Sequence, residues 1–129
     1  MHMRSYVGVT FDELSALLAD KTLAVNTFFA ATEEFNSEHP ELDEEEREFI
    51  LSMLAAEEAL ELREAGYGFV AAVEIPDQFI TEQGADSITI SGSIALDWVA
   101  CIFLVSPDGE DLTWYGVQEV GQLLPSWKS

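Results

Sequence analysis

Positive charge is what this chain has least of: five Lys and Arg stand against 25 Asp and Glu in 129 residues, a formal net charge of -20 at pH 7. Such a surface repels a phosphate backbone or an anionic membrane, because binding either one requires basic side chains that displace counterions. Nucleic acid and membrane are therefore not expected as partners, and a charged partner, if there is one, is basic. Cysteine is nearly absent. Cys101 is the only one, which excludes an internal disulfide, and its place in Val99-Ala100-Cys101-Ile102-Phe103 reads as a small packed hydrophobe. Histidine is scarce as well: His2 follows Met1 ahead of a second potential start at Met3, which leaves His39 in the acidic stretch Glu38-His39-Pro40-Glu41. A Cys-His nucleophile would need Cys101 as a thiolate, and apolar surroundings oppose that. No apolar run reaches the roughly 18 residues of a membrane span, and Met1 to Tyr6 lacks the apolar core of a secretory signal. The expected location is the cytoplasm. Glycine-rich phosphate loops are missing too, since Gly66-Tyr67-Gly68 has neither a third glycine nor a lysine, and Ser91-Gly92-Ser93 lacks the elbow context of a hydrolase serine. No cofactor is implied.

What is present is a well-patterned globular chain with 48% apolar residues. One domain of this length buries roughly two-thirds of its unfolded surface without a disulfide or metal. Arg4 to Val9 is β-prone, and Thr10-Phe11-Asp12-Glu13 forms a capping box that opens a helix from Phe11 to Asp20, with Leu14, Leu17 and Leu18 on one side. Thr27 to Thr32 reads as the next strand, and short connections suggest a parallel pair with the first. Phe69 to Ile75 is a nearly continuous apolar run stopped by Pro76-Asp77, the pattern of an interior strand. Ser87 to Ser91 alternates strictly, with Ile88 and Ile90 inward, and belongs nearer an edge. Leu96 to Val105, the turn Ser106-Pro107-Asp108-Gly109 and Leu112 to Val117 read as a hairpin. A helical turn from Gln118 to Leu124 precedes Pro125. The fold class is α+β: a single two-layer domain over residues 1–129, with a mixed sheet of about six strands in the order β-α-β-α-β-β-β-β and a long helix on one face.

That long helix gathers the acid. Between Glu33 and Glu64 there are 13 acids and only Arg47 and Arg63 to offset them. Asp43 stands as N-cap to Glu44-Glu45-Glu46, with Glu46 at the capping-box position, so these carboxylates meet the positive end of the helix dipole. From there the helix continues to about Glu64. At 100° per residue it has two apolar arcs. Phe49, Met53, Ala56 and Leu60 are expected against the sheet. Leu51, Ala55, Ala59 and Leu62 are then left for the first helix, the C-terminal tail or a second copy. Glu57 and Glu61 lie one turn apart and could hold a hard cation, but a solvated acidic face is the commoner meaning of that spacing. Of the aromatics, Trp98 and Trp114 suggest a cross-strand pair, and Trp127 either an exposed anchor or a tail docked on the domain.

Several segments together resemble an uncharacterised family of small actinobacterial proteins, a domain of unknown function. They are Tyr6-Val7-Gly8-Val9-Thr10-Phe11-Asp12-Glu13-Leu14, Ala30-Ala31-Thr32-Glu33, Asp43-Glu44-Glu45-Glu46-Arg47-Glu48-Phe49 leading to Ala55-Ala56, Val70-Ala71-Ala72-Val73-Glu74-Ile75-Pro76-Asp77 and Trp114-Tyr115-Gly116-Val117-Gln118-Glu119. The resemblance implies an actinobacterial cytoplasmic domain and assigns no activity. The chain departs from the family at Gly68-Phe69, where members tend to have arginines. An acidic proteome, common in high-GC bacteria, would account for the charge blandly.

Three functions follow from these residues. The leading one is a non-enzymatic interaction or regulatory protein whose acidic helix start engages a basic protein surface through Glu41, Asp43, Glu44, Glu45 and Glu48. The second is a small-molecule-binding protein or enzyme with a pocket between the long helix and the sheet, near Asp97 or Glu74. Glu74 lies late in an apolar strand and needs a partner, a raised pKa or a turn outward. The third is a homodimer that buries the second helix arc or a sheet edge.

Overall fold

The computed structural model describes residues 2–63 and 66–127. Among them the chain forms β1 (His2–Val9), α1 (Phe11–Asp20), β2 (Thr22–Leu23), β3 (Thr27–Ala30), α2 (Glu33–Glu38) and α3 (Glu44–Leu62). It continues through β4 (Gly68–Pro76), β5 (Ile80–Gln83), β6 (Ser87–Ile90), β7 (Ile94–Ala95), β8 (Val99–Val105), β9 (Leu112–Tyr115) and α4 (Val117–Leu123). The main sheet has seven strands in the order β5-β6-β3-β1-β4-β8-β9, and β2 and β7 form a separate two-stranded ribbon. The α+β class expected from the sequence is the class observed.

Every strand pairing is antiparallel, so the expected parallel pair is not formed. β1 meets β3 with Ser5 opposite Ala30 and Tyr6 opposite Phe29. The reason lies between them. α1 rises about 15 Å, and the extended stretch 21–26, which includes β2, reaches up to roughly 20 Å. That is enough to bring the chain back to the end of the sheet it left. Lys21, in the left-handed conformation with φ 63°, makes the reversal after α1.

The sheet is covered on both faces, giving three layers where the sequence suggested two. β4 shows this residue by residue: Phe69, Ala71, Val73 and Ile75 enter a core with α1, α4 and the ribbon, while Val70 and Ala72 enter a second core under α3. The apolar run Phe69 to Val73 of β4 is thus accounted for by its central place between β1 and β8. Trp127 docks into the first core, its ring 5.8 Å from Phe69 and 5.0 Å from Tyr115.

α3 buries a face that lies between the two arcs: Ala56 and Leu60 pack inward as expected, but Leu51, Ala55 and Ala59 of the second arc join them, and Phe49 and Leu62 turn out. Leu51, Ser52, Ala55, Ala56 and Ala59 are buried, whereas Phe49 is 63% exposed. Glycines in the two central strands explain this choice. A Cβ at Gly8 would stand 2.6 Å from the Ala59 nitrogen, and one at Gly68 would stand 3.1 Å from the Ala59 Cβ. Helix and sheet approach so closely that only the alanine-rich arc fits between them. The helix ends at Leu62 with Arg63 as C-cap, and the expected end at Glu64 lies outside the described residues.

Three further differences are local. Residues 33–38, to which the sequence assigns no element, form α2, which is capped by the buried Thr32: its hydroxyl accepts from Phe35 N–H at 3.1 Å and donates to the Gly84 carbonyl at 2.8 Å. Leu96 to Trp98 form a 3₁₀ turn, so β8 begins at Val99. Trp98 packs against Phe79 with ring centres 5.0 Å apart and the planes tilted by 47°, while Trp114 lies exposed opposite Phe103, and the expected tryptophan pair does not form.

Candidate functional site

The five acids singled out by sequence lie on the loop before α3 and on its first turns, but they have four different environments. Asp43 is occupied in capping, its Oδ1 accepting from Glu46 N–H at 2.8 Å while Glu46 Oε1 accepts from Asp43 N–H at 3.2 Å. Glu41 is exposed and lies 3.8 Å from the His39 ring nitrogen. Glu45, together with Glu46, borders a groove of about 280 Å³ whose apolar lining is Leu42, Phe49 and Ile50. Glu44 and Glu48 face the other side of the helix. There they line a second cavity of about 320 Å³ with Arg4, Asn36, Arg47 and Leu51. The helical period causes this division, since positions 44 and 48 share one side and 45 and 49 the next.

The groove is not legible in the sequence, because helical spacing and bulk assign Phe49 to the core. Its ring is among the few large apolar side chains left exposed, and it sits one turn after Glu45. Its acidic border is Glu45 and Glu46, and Glu41 is exposed on the loop that leads into α3.

The second cavity connects to Glu74. Arg4 and Glu74 are directly opposite across β1 and β4, and Arg4 Nη1 donates to Glu74 Oε1 at 2.8 Å. Glu74 is therefore paired and half exposed. Arg4 also places a second nitrogen 3.9 Å from Cys101 Sγ and lies 5.9 Å from the Tyr6 ring centre. Burial works against the Arg4 charge but is outweighed by the bonds to Glu74 and Tyr6, so its pKa is raised. Burial pushes the Glu48 carboxyl above its ordinary range; Arg4 pulls it down, and Glu44, Glu74 and Glu45 push it up again. Burial also raises the Cys101 thiol, against the pull of Arg4, which leaves it a poor nucleophile. Arg4 gives no signal in the sequence because its partners lie 70 and 97 positions away and only strand pairing brings them together.

Asp97, the other acid suggested for a pocket, is exposed in the 3₁₀ turn and lines neither cavity. Glu57 and Glu61 are exposed on α3, and among the described residues no group of three His, Cys, Asp or Glu side chains is placed to hold a metal ion. Glu58 has a structural role, since its Oε1 accepts from the buried Gly8 N–H at 2.8 Å, where β1 has no strand partner on that side. No described helix is long and apolar enough to cross a membrane.

Fold and site together define an antiparallel α+β protein, covered on both sheet faces, with an acid-bordered apolar groove at the start of its longest helix. Residues 3–110 match the family of unknown function DUF6912, and the chain belongs to that family. No curated protein and no solved structure matches it.

Proposed function

We propose that the protein is a non-enzymatic interaction or regulatory domain that receives a basic, amphipathic segment of another protein on the first half of α3. The exposed Phe49 in its groove carries this reading. A large apolar side chain in a concave patch supplies the desolvated centre that protein interfaces need, and a charged border adds steering and selectivity. Leu42, Phe49 and Ile50 form that centre. Glu45 borders that centre together with Glu46, and Glu41, Asp43, Glu44 and Glu48 add negative charge at the same end of the helix, with Glu41, Glu44 and Glu45 exposed to a partner's Lys or Arg. A homodimer through the same groove is disfavoured, because two-fold symmetry would set these carboxylates against their own copies. A cytoplasmic, actinobacterial setting accords with the lone unpaired cysteine and with the family resemblance.

The test is affinity purification from the native host with the wild-type chain, Phe49→Ser, and a triple variant with Glu41, Glu44 and Glu45 changed to Lys. The expected outcome is a basic partner whose capture weakens with salt and is lost with either variant. Capture that both variants retain unchanged would reduce the acid to a solubilising surface.

A further inference from the structure

The seven-stranded sheet has two edges, β5 and β9, and they are built differently. β5 carries Glu82 and shifts its register against β6 between Ile80 and Glu82, and both features discourage another strand from joining. β9 has neither safeguard. Leu112 to Tyr115 hold one unbroken register with Val105 to Ile102, without a charge or a proline, and among the described residues no strand lies beyond them. Trp114, opposite Phe103 on this bare edge, is 58% exposed. An unprotected edge that also presents a large aromatic side chain is a template for strand pairing.

The ladder to β8 shows which backbone groups face outward. Ser106 N–H donates to the Asp111 carbonyl at 3.0 Å, so residues 106 and 111 form a hydrogen-bonded pair. Alternation along the register makes Leu104–Thr113 and Ile102–Tyr115 the next bonded pairs, and the N–H and C=O groups of Leu112 and Trp114 therefore point away from β8. The side chains of these two residues share the sheet face of Phe103 and α3. We propose that β9 pairs with β9 of a second copy of this chain, antiparallel about a two-fold axis through Thr113. Leu112 of each copy then lies opposite Trp114 of the other, and each such pair exchanges both of its backbone hydrogen bonds. The exposed indole is laid across a half-buried leucine, and the two threonines meet on the axis on the opposite face. Charge favours a second copy as the occupant. The same register sets Asp111 against Tyr115 and Glu110 toward Gly116, so no carboxylate of the strand meets its own counterpart. The groove at Phe49 takes no part in this contact.

Sedimentation equilibrium of the full chain, from micromolar to millimolar concentration, tests this directly. The expected result is a reversible dimer that tightens with added salt, because two copies of net charge -20 repel one another. Capture of a basic partner by the groove weakens with salt, so the two contacts are distinguishable, and Phe49→Ser should leave the dimer intact. Thr113→Lys, which sets like charges face to face on the axis, should weaken dimerisation by at least about tenfold. Trp114→Ser should weaken it to a similar degree. Should Trp114→Ser fail to fold, the exposed Thr113 decides alone. Crosslinking reads the register. Thr113→Cys faces itself with Cβ atoms roughly 4.5–5.5 Å apart, close enough for diamide to join the copies by a disulfide after a small adjustment, whereas Asp111→Cys faces Tyr115 and should not crosslink. Cys101 is buried and does not compete. A monomer at every concentration, as when β9 serves a strand of some other protein, would overturn the proposal. So would a dimer that Thr113→Lys leaves intact, or equal crosslinking from positions 111 and 113.

Discussion

Glu58 shows how one side chain can be both necessary and unfavourable. Its carboxylate satisfies the Gly8 N–H that β1 leaves without a strand partner, yet burial pushes its pKa up, the Gly8 bond pulls it back, and Glu13 and Glu61 add repulsion. The hydrogen bond and the charge can be separated by substitution. Glu58→Leu removes the acceptor and is expected to cost about 1–3 kcal/mol, the penalty of an unsatisfied buried amide. Glu58→Gln retains an acceptor and loses the charge, so it should leave stability at neutral pH unchanged or higher. Urea midpoints of the two variants check this, and equal losses in both would show that the charge itself is what stabilises. Glycine at position 8 carries no sign of this role in the sequence, because the need for an acceptor arises only where β3 stops pairing with β1.

At the scale of elements, local chemistry is largely legible in the sequence and facing is not. The boundaries of α1, the capping boxes at Thr10 and Asp43, the inward Ile88 and Ile90 and the β8–β9 hairpin depend on neighbouring residues, and the sequence predicts them. The inward face of α3 is rotated from the expected one, keeping Ala56 but taking Leu51, Ala55 and Ala59 in place of Phe49. Bulk favours Phe49 for the core, but the close approach of Ala55 and Ala59 to Gly8 excludes it. Gly8→Ala is accordingly expected to destabilise the fold by about 1–3 kcal/mol through overpacking, since its methyl group would meet helix backbone that has no rotamer with which to yield. A lowered melting temperature should accompany increased exposure of the α3 layer in hydrogen exchange; an unchanged melt would mean that the helix can shift outward freely. α2 is hidden from the sequence for a similar reason: Thr32 caps it from a fully buried position that the β5–β6 turn creates.

Across the whole molecule, -20 of net charge makes stability depend on proton and salt concentration. Burial is the first cause of the raised pKa values of Glu48 and Glu58, whose ordinary value is 4.5. Between 4.5 and those raised values the folded chain binds more protons than the unfolded chain, so stability rises as pH falls through this window. General repulsion among the carboxylates acts in the same direction. Asp108 works oppositely: the Ser106 hydroxyl and the Glu110 N–H hold its pKa below 3.8, so its contribution is lost on further acidification. The melting temperature should therefore rise as pH falls from 7 to about 5, and the Asp108 contribution is lost only below 3.8. Added salt should raise it at pH 7 by screening. Scanning calorimetry across pH reads both effects, and Glu48→Gln with Glu58→Gln should flatten the neutral-to-acid slope. A melt that falls steadily from pH 7 downward would contradict the assignment.

By itself the sequence determined two helix starts, the strand patterning and the concentration of acid at one helix terminus. These follow from residue spacing, capping geometry and net charge, none of which requires a distant contact. Only the tertiary structure decided that the sheet is wholly antiparallel, which arc of α3 is buried, and that Phe49 stands outside. The same assembly set Arg4 against Glu74 and placed Arg4 in one cavity with Asn36 and Arg47. Those outcomes depend on groups far apart along the chain, whose meeting is set by strand pairing and by the small space between a glycine and an alanine.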